Sequence, residues 1–166
     1  MLRVSLALVF FYLSIIGASA ASKPNIIVFL VDDARVDDLS TMPVARSIAE
    51  GGANFVNAYS SFPLCCPARA SLLTGQYSHN HGVQSNKAPT GGFTVFHDAR
   101  TLATWMDPAY ITAWAGKYFN EYGVNGTASY VPPGWDEWFV PDGSVWNYAE
   151  TNWSHNGTLQ SFPGQY

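Results

Sequence analysis

The two cysteines of this chain are adjacent, within the segment Cys65–Arg69. Neighbouring residues close no useful loop, so a stabilising disulfide between them is not expected. Pro67 fits the first turn of a helix, where its missing N–H costs nothing, which places Cys65 at a helix N-terminus. Arg69 lies one helical turn further on, so a nucleophile and a cation meet where unpaired backbone N–H groups favour an anion. The alternative is that both cysteines are small, buried core residues.

A second candidate feature is the acidic pair Asp32 and Asp33, which directly follows an apolar run. Adjacent carboxylates repel each other unless a cation or a proton intervenes. Oxygen ligands of this kind suit Ca²⁺ or Mg²⁺. The pair therefore indicates either a divalent metal site or a solvated turn. Asp37 and Asp38 follow too soon to share a metal and are interpreted as turn or cap residues.

The remaining side chains that are candidates for a role in catalysis or binding are Lys117, His79 and His81. Lys117 follows a predicted buried strand, where an ammonium requires an anionic partner; the alternative is a lysine that extends its charged end to the surface. His79 and His81 lie in the polar, glycine-containing segment Tyr77–Gly92, which is predicted to be a loop. They either line an anion pocket or are solvent-exposed or structural residues.

The elements that must position these residues alternate between strands and helices. Apolar, β-branched runs predict strands at Asn25–Val31, Ala53–Tyr59 and Tyr110–Ala115, and cap and stop residues predict helices at Met42–Glu50, Cys65–Thr74 and Thr101–Met106. This order predicts an α/β fold, a sheet with helices on both faces. Because ligands of such sheets lie beyond the carboxyl ends of the strands, Asp32, Cys65 and Lys117 are expected to converge at one edge.

The chain after Asn120 is rich in aromatic residues, glycine and proline and shows little periodicity. Five of the aromatic residues in this part of the chain form a candidate cluster: Trp135, Trp138, Trp146, Tyr148 and Trp153. They either stack on sugar rings or pack in the core or against a lid.

The composition and the N-terminus favour an exported protein. The 166 residues fit one modest domain or a piece of a larger one, and a net charge of -4 gives no electrostatic reason to bind nucleic acid. Residues 1–20 have a basic start, an apolar run and an Ala-x-Ala ending, which predicts a signal peptide and a mature chain from Ala21. Apart from residues 1–20, no segment is a candidate for a membrane anchor. Sequons at Asn125, Asn152 and Asn156 predict N-glycosylation.

The block Cys65–Gly75, Cys-Cys-Pro-Ala-Arg-Ala-Ser-Leu-Leu-Thr-Gly, resembles the signature of type I sulfatases, C-x-P-[SA]-R followed by an apolar stretch and Thr-Gly. The similarity extends from Lys23 to about Trp138. Ser78–Gly82 and Gly116–Gly123 look most like the N-acetylglucosamine-6-sulfatase and extracellular endosulfatase branch. The resemblance implies an alkaline phosphatase-like α/β fold, incomplete at its C-terminal side.

The resemblance also implies a mechanism. A formylglycine-generating enzyme of the secretory pathway oxidises Cys65 to an aldehyde (3-oxoalanine), whose hydrate attacks the sulfate sulfur and then eliminates sulfate. In that mechanism Asp32 and Asp33, with residue 65, bind Ca²⁺ or Mg²⁺. Arg69 and Lys117 act at the sulfate. Many sulfatases have a histidine at the position of Phe119, and the glucosamine-6-sulfatase branch has an apolar residue there.

The family implies a longer protein than this chain, because its further metal ligands and its small C-terminal domain come later. Residues 21–166 are therefore interpreted as the N-terminal portion of a catalytic domain that is expected to be inactive alone. The expected substrate is a sulfated sugar or glycosaminoglycan, and the expected location is extracellular, lysosomal or vacuolar. Two alternatives are a phosphoester or phosphonate hydrolase of the same superfamily and an inactive, secreted binding fragment.

Overall fold

The computed structural model of the protein describes residues 23–35, 37–143 and 150–163. The predicted signal peptide, Trp146 and Tyr148 lie outside these ranges. The chain divides into two units, one ending at Val31 and the other beginning at Asp32. Every candidate site residue named above belongs to the second unit.

Two of the predicted strands are not formed. In the first unit, residues 23–31 form neither helix nor strand, and Ile27 and Phe29 are 76% and 82% exposed. In the second unit, the segment Ala53–Tyr59 is likewise without strand structure and exposed. An apolar β-branched run forms a strand only where a neighbouring strand satisfies its backbone N–H and C=O groups. Among the described residues, no strand pairs with either segment.

The helices follow the predictions more closely. They are α1 (Pro43–Gly51), α2 (Cys65–Thr74), α3 (Ser78–His81) and α4 (Leu102–Met106), with 3₁₀ turns at Asp38–Thr41, Phe93–Val95 and Val124–Ser129. The signature helix α2 has the predicted bounds and ends at Gly75, whose φ of 66° suits glycine. The short helix α3 lies within the segment that was predicted to be a loop. Asp38 accepts a hydrogen bond from the Arg35 N–H, which fits its predicted role in a turn.

A four-stranded mixed sheet forms the rest of the fold. Its strands are β1 (Ala113–Ala115), β2 (Glu137–Pro141), β3 (Glu150–His155) and β4 (Thr158–Pro163), in the order β1-β2-β3-β4. β1 and β2 are parallel, and the other two pairings are antiparallel. The predicted α/β class is therefore confirmed, although only one of the three predicted strands contributes to the sheet.

The β3–β4 hairpin was missed by the sequence analysis. Its two-residue turn is Asn156-Gly157, with φ values of 48° and 82°. Asn-Gly is the preferred sequence for a hairpin turn with two left-handed residues. The signal was present in the sequence but was interpreted only as part of a glycosylation sequon.

The core joins the signature helix to the sheet. Trp138 of β2 is fully buried, and its Nε1 donates a 2.8 Å hydrogen bond to the Tyr122 hydroxyl. The same cluster includes Cys66 and Leu73 of α2. For Trp138 the core interpretation is therefore confirmed, and Trp153 stacks on Phe139 within the sheet. This shared core holds the N-terminus of α2 beside the segment that follows β1.

Candidate functional site

Cys65 is the first residue of α2 and is half-buried. The next backbone N–H, that of Cys66, donates a 2.9 Å hydrogen bond to the Asn86 side chain, and Pro67 has no N–H. The first turn therefore offers fewer free backbone donors than the sequence alone suggested. Attraction for an anion at this position has to come mainly from side-chain cations.

Cys66 differs from its neighbour in burial and in its hydrogen bonds. It is fully buried, it accepts a hydrogen bond from the Asn120 N–H, and its thiol donates to the Asn120 side chain, both at 3.3 Å. Burial raises the pKa of the Cys66 thiol to about 11, so this thiol stays protonated at physiological pH. Thiol reactivity depends on the thiolate and on access, which leaves Cys65 as the candidate nucleophile.

Arg69 is held one helical turn below Cys65 and is 4% exposed. Its Nη1 donates to the Lys117 carbonyl oxygen at 2.7 Å, and its Nη2 donates to Asp32 Oδ1 at 3.2 Å. Its Nε has no partner among the described residues. A buried donor of a charged group that lacks a partner is costly, which indicates that a further acceptor belongs at this position.

Lys117 follows β1 after Gly116 and points at the same position. Its ammonium lies 2.6 Å from Asp32 Oδ2 and 3.4 Å from Cys65 Sγ, and its side chain is 13% exposed. Burial alone would lower the pKa of Lys117, but the hydrogen bond and charge of Asp32 outweigh it and raise that pKa. The alternative of a lysine extended into solvent is therefore wrong.

The acidic pair Asp32 and Asp33 lies beside Cys65. Burial alone would raise the pKa of Asp32, but Lys117 and Arg69 outweigh it, and the carboxylate stays charged. Asp33 has a φ of 53°, a left-handed conformation that is rare outside glycine, and its Oδ1 lies 4.0 Å from Cys65 Sγ. The donor atoms of Asp32, Asp33 and Cys65 all lie within 4.8 Å of one another.

These three donors fit a hard divalent cation. Two carboxylates supply the oxygen ligands that Ca²⁺ and Mg²⁺ prefer, and Cys65 Sγ lies beside them as a third donor atom. The charges of the two aspartates, Arg69 and Lys117 sum to zero. A divalent cation would therefore make the site positive, as binding of an anion requires.

The two histidines have other contacts. His81 is buried, with Nδ1 accepting the Val83 N–H and Nε2 hydrogen-bonded to Ser71 Oγ, both at 3.1 Å. Because Nδ1 accepts, neutral His81 carries its proton on Nε2 and donates to Ser71. His79 is exposed and stacks on Tyr77 at 5.8 Å. These contacts support a structural interpretation of both histidines.

We expect His81 to make stability depend on pH. Burial is the main reason why the pKa of His81 in the folded chain lies below its usual 6.5, and the charge of His79 contributes to a smaller extent. As pH falls below about 6.5, the unfolded chain binds a proton that the folded chain does not, so the free energy of unfolding decreases until the folded-state pKa is passed. Urea unfolding at several pH values measures this. His81→Gln should flatten the profile in this window, and an unchanged slope would contradict the assignment.

The structure thus brings Asp32, Asp33, Cys65, Arg69 and Lys117 together, as the sequence analysis expected. The sequence analysis missed Asn86 and Asn120, which bind the backbone and the thiol of Cys66. A lone asparagine in a loop carries no recognisable pattern, so no local signal identified either residue.

Comparison with known proteins identifies the family of the chain. The model of the family described as Sulfatase matches residues 24–157. The chain belongs to the sulfatase family. This match contains all five clustered residues and the two asparagines that hold Cys66, so the cluster described here lies within a sulfatase domain.

Several curated sulfatases are similar to this chain. It is 44% identical over 135 residues to the extracellular sulfatase SULF-1 homolog of Drosophila melanogaster, an alignment covering 76% of this chain and 12% of that protein. It is 33% identical to the N-acetylglucosamine-6-sulfatase of Homo sapiens, an alignment that covers 82% of this chain and 27% of that protein. It is 31% identical to an arylsulfatase of Volvox carteri, with 93% of this chain and 26% of that protein covered. The predicted resemblance to the sulfatase family is thereby confirmed. The chain spans about a quarter or less of the length of these relatives.

Proposed function

We propose that the protein carrying this chain hydrolyses sulfate esters of sugars, with residue 65 as nucleophile in its formylglycine form. The observation that carries the proposal is the convergence of Arg69, Lys117 and the acidic pair on Cys65 within a sulfatase domain. Relatives named extracellular sulfatase and N-acetylglucosamine-6-sulfatase support a sulfated sugar as the substrate class.

The chain's own residues account for binding and orientation of the sulfate group. Lys117 reaches both Asp32 and Cys65, so it can contact a sulfate oxygen beside the nucleophile. Arg69 orients the Lys117 backbone through its bond to the Lys117 carbonyl oxygen and contributes the second positive charge. Converging cations of this kind stabilise charge that develops in the transition state.

We further propose that Asp32 and Asp33, with residue 65, hold Ca²⁺. A bound divalent cation supplies Lewis-acid polarisation of the sulfate group. The cation is also a suitable partner for Asp33, which is exposed and whose Oδ1 lies 4.0 Å from Cys65 Sγ. Formylglycine supplies a hydrated aldehyde, and therefore an oxygen nucleophile, where Cys65 alone supplies a thiol.

Export and glycosylation complete the proposal. We propose that residues 1–20 are a signal peptide, that the mature chain from Ala21 enters the secretory pathway, and that its sequons receive glycans there. Asn152 of β3 is exposed. The Asn156 side chain accepts the Trp138 N–H and donates to Glu137, so a glycan at Asn156 would compete with contacts that hold the hairpin. No helix within the described ranges combines the length and apolar character needed to cross a bilayer.

Metal removal tests the proposed function directly. The whole protein, secreted from cells that form formylglycine, is assayed with an aryl sulfate and the matching aryl phosphate, before and after treatment with a chelator. Because a catalytic cation contributes several kcal/mol, we expect kcat/KM for the sulfate to fall by about 100-fold or more and to recover with Ca²⁺. Faster turnover of the phosphate would favour a phosphoester hydrolase. No turnover of either, with Cys65 still a thiol, would favour a binding protein.

A further inference from the structure

A cavity of about 140 Å³ adjoins the candidate site, with Lys117 in its wall. The segment that follows β1 supplies most of the lining, including Asn120 and Glu121, and Lys87 lies on the opposite loop. Pockets that enclose a whole drug-sized ligand measure roughly 300–1,000 Å³, so this cavity fits one sugar unit or a part of one. We refer to it as the Lys87 cavity.

Lys87 is presented by an ordered loop. Ser85 Oγ donates to the Lys87 carbonyl oxygen at 2.6 Å and accepts the Thr90 hydroxyl at 3.0 Å. The next N–H, that of Ala88, donates to Glu121 Oε2 at 3.1 Å, which ties the loop to the other wall of the cavity. The position of the Lys87 backbone is therefore set by contacts on both sides.

The Lys87 side chain is exposed, and among the described residues it takes part in no ion pair. Glu121 is the carboxylate in the lining, and its Oε2 is already hydrogen-bonded to Ala88. Lys117, by contrast, is paired with Asp32. Of the two lysines that line the cavity, Lys87 is thus the one whose charge is available to a second anionic group.

We propose that the Lys87 cavity is a second anion-binding subsite, where Lys87 binds a negatively charged group on the sugar unit next to the one whose sulfate ester lies at Lys117. The inference rests on the proposed function, because it takes Lys117 as the sulfate-binding residue. It assigns the protein to substrates with at least two anionic groups on neighbouring units. The second anionic group is a carboxylate or a second sulfate, since both are anions that accept hydrogen bonds from the Lys87 ammonium.

The test uses three disaccharides with the same sulfated sugar and a neighbouring unit that is uncharged, carries a carboxylate or carries a sulfate. The whole, formylglycine-containing protein is compared with Lys87→Gln, Lys87→Arg and Arg100→Gln, the last removing an exposed charge that is not part of the cavity lining. For Lys87→Gln, the ratio of kcat/KM on a charged disaccharide to that on the uncharged one should fall about tenfold, through KM. Lys87→Arg and Arg100→Gln should keep most of the original ratio. The two charged substrates show which anion the subsite prefers.

Three outcomes would overturn the inference: an unchanged ratio for Lys87→Gln, an equal loss on all three substrates, or the same loss for Arg100→Gln. Failure of the proposed function gives a different result, because the unaltered protein would then release sulfate from none of the three disaccharides. In that case calorimetric titration with the charged disaccharides still decides the role of Lys87. Equal affinity for the unaltered protein and Lys87→Gln would then count against the subsite.

Discussion

We expect replacement of Cys65 by alanine to lower sulfate release by a factor of about 1,000 or more, because the variant lacks the nucleophile of the proposed covalent mechanism. Cys65 is half-buried at the start of α2, and among the described residues its thiol contacts the charged side chains of Asp33 and Lys117. We therefore expect the variant to fold and to be secreted like the unaltered protein. Aryl sulfate turnover measures the loss of sulfate release. Peptide mass mapping of residues 47–69 in the secreted protein checks that the variant is produced and secreted.

Cys66→Ala is the matched control for this experiment. It leaves the C-x-P-x-R pattern intact but removes the hydrogen bonds between the buried thiol and Asn120. We expect formylglycine still to form and stability to fall by about 1 kcal/mol, the usual contribution of a buried hydrogen bond. Residual turnover in Cys65→Ala, or loss of turnover only in Cys66→Ala, would mean that the nucleophile is assigned to the wrong residue.

Arg69→Ala is expected to reduce both activity and stability. The side chain is almost fully buried and bonds to Asp32 and to the Lys117 backbone, so its loss leaves Asp32 with one cation and frees the Lys117 segment. Because Asp32 is partly exposed, we expect a stability loss of about 2 kcal/mol, between the values for surface and buried ion pairs. Turnover should fall by about 100-fold or more, since a charge that faces the reacting group is lost.

Two comparisons separate the possible causes of this loss. Arg46→Ala removes an exposed arginine that, among the described residues, forms its ion pair with Glu50 on its own helix, and it should leave turnover and stability nearly unchanged. Arg69→Lys keeps the charge but loses the forked geometry that serves two acceptors. Mass mapping shows whether residue 65 was converted in each variant. Full activity in a converted Arg69→Ala protein would contradict the role of this arginine at the sulfate group.

Local signals in the sequence were sufficient for the signature helix. Pro67 near its start and Gly75 after its end are residues whose preferences depend on the backbone of a helix terminus alone. Helix α2 consequently has the predicted bounds Cys65–Thr74. The same holds for α4, where the predicted start at Thr101 differs from the structure by one residue because Thr101 is the N-cap.

Strands were predicted less well because a strand depends on partners elsewhere in the chain. The apolar run Asn25–Val31 satisfies every local criterion, yet its backbone is unpaired among the described residues. β2, β3 and β4 lie in the aromatic, glycine-containing part that showed no clear periodicity. A local signal there, Asn156-Gly157, defines a turn and therefore a hairpin.

The sequence by itself determined the family, the signature helix and the set of charged residues that form the candidate site, because these depend on residue types at short, fixed spacings. Only the tertiary structure decided which partners those residues have. Asp32 pairs with Lys117 across 85 positions of sequence, and Asn86 binds the Cys66 N–H across 20. Contacts of this separation depend on how the core packs α2 against the sheet, and no local pattern encodes them.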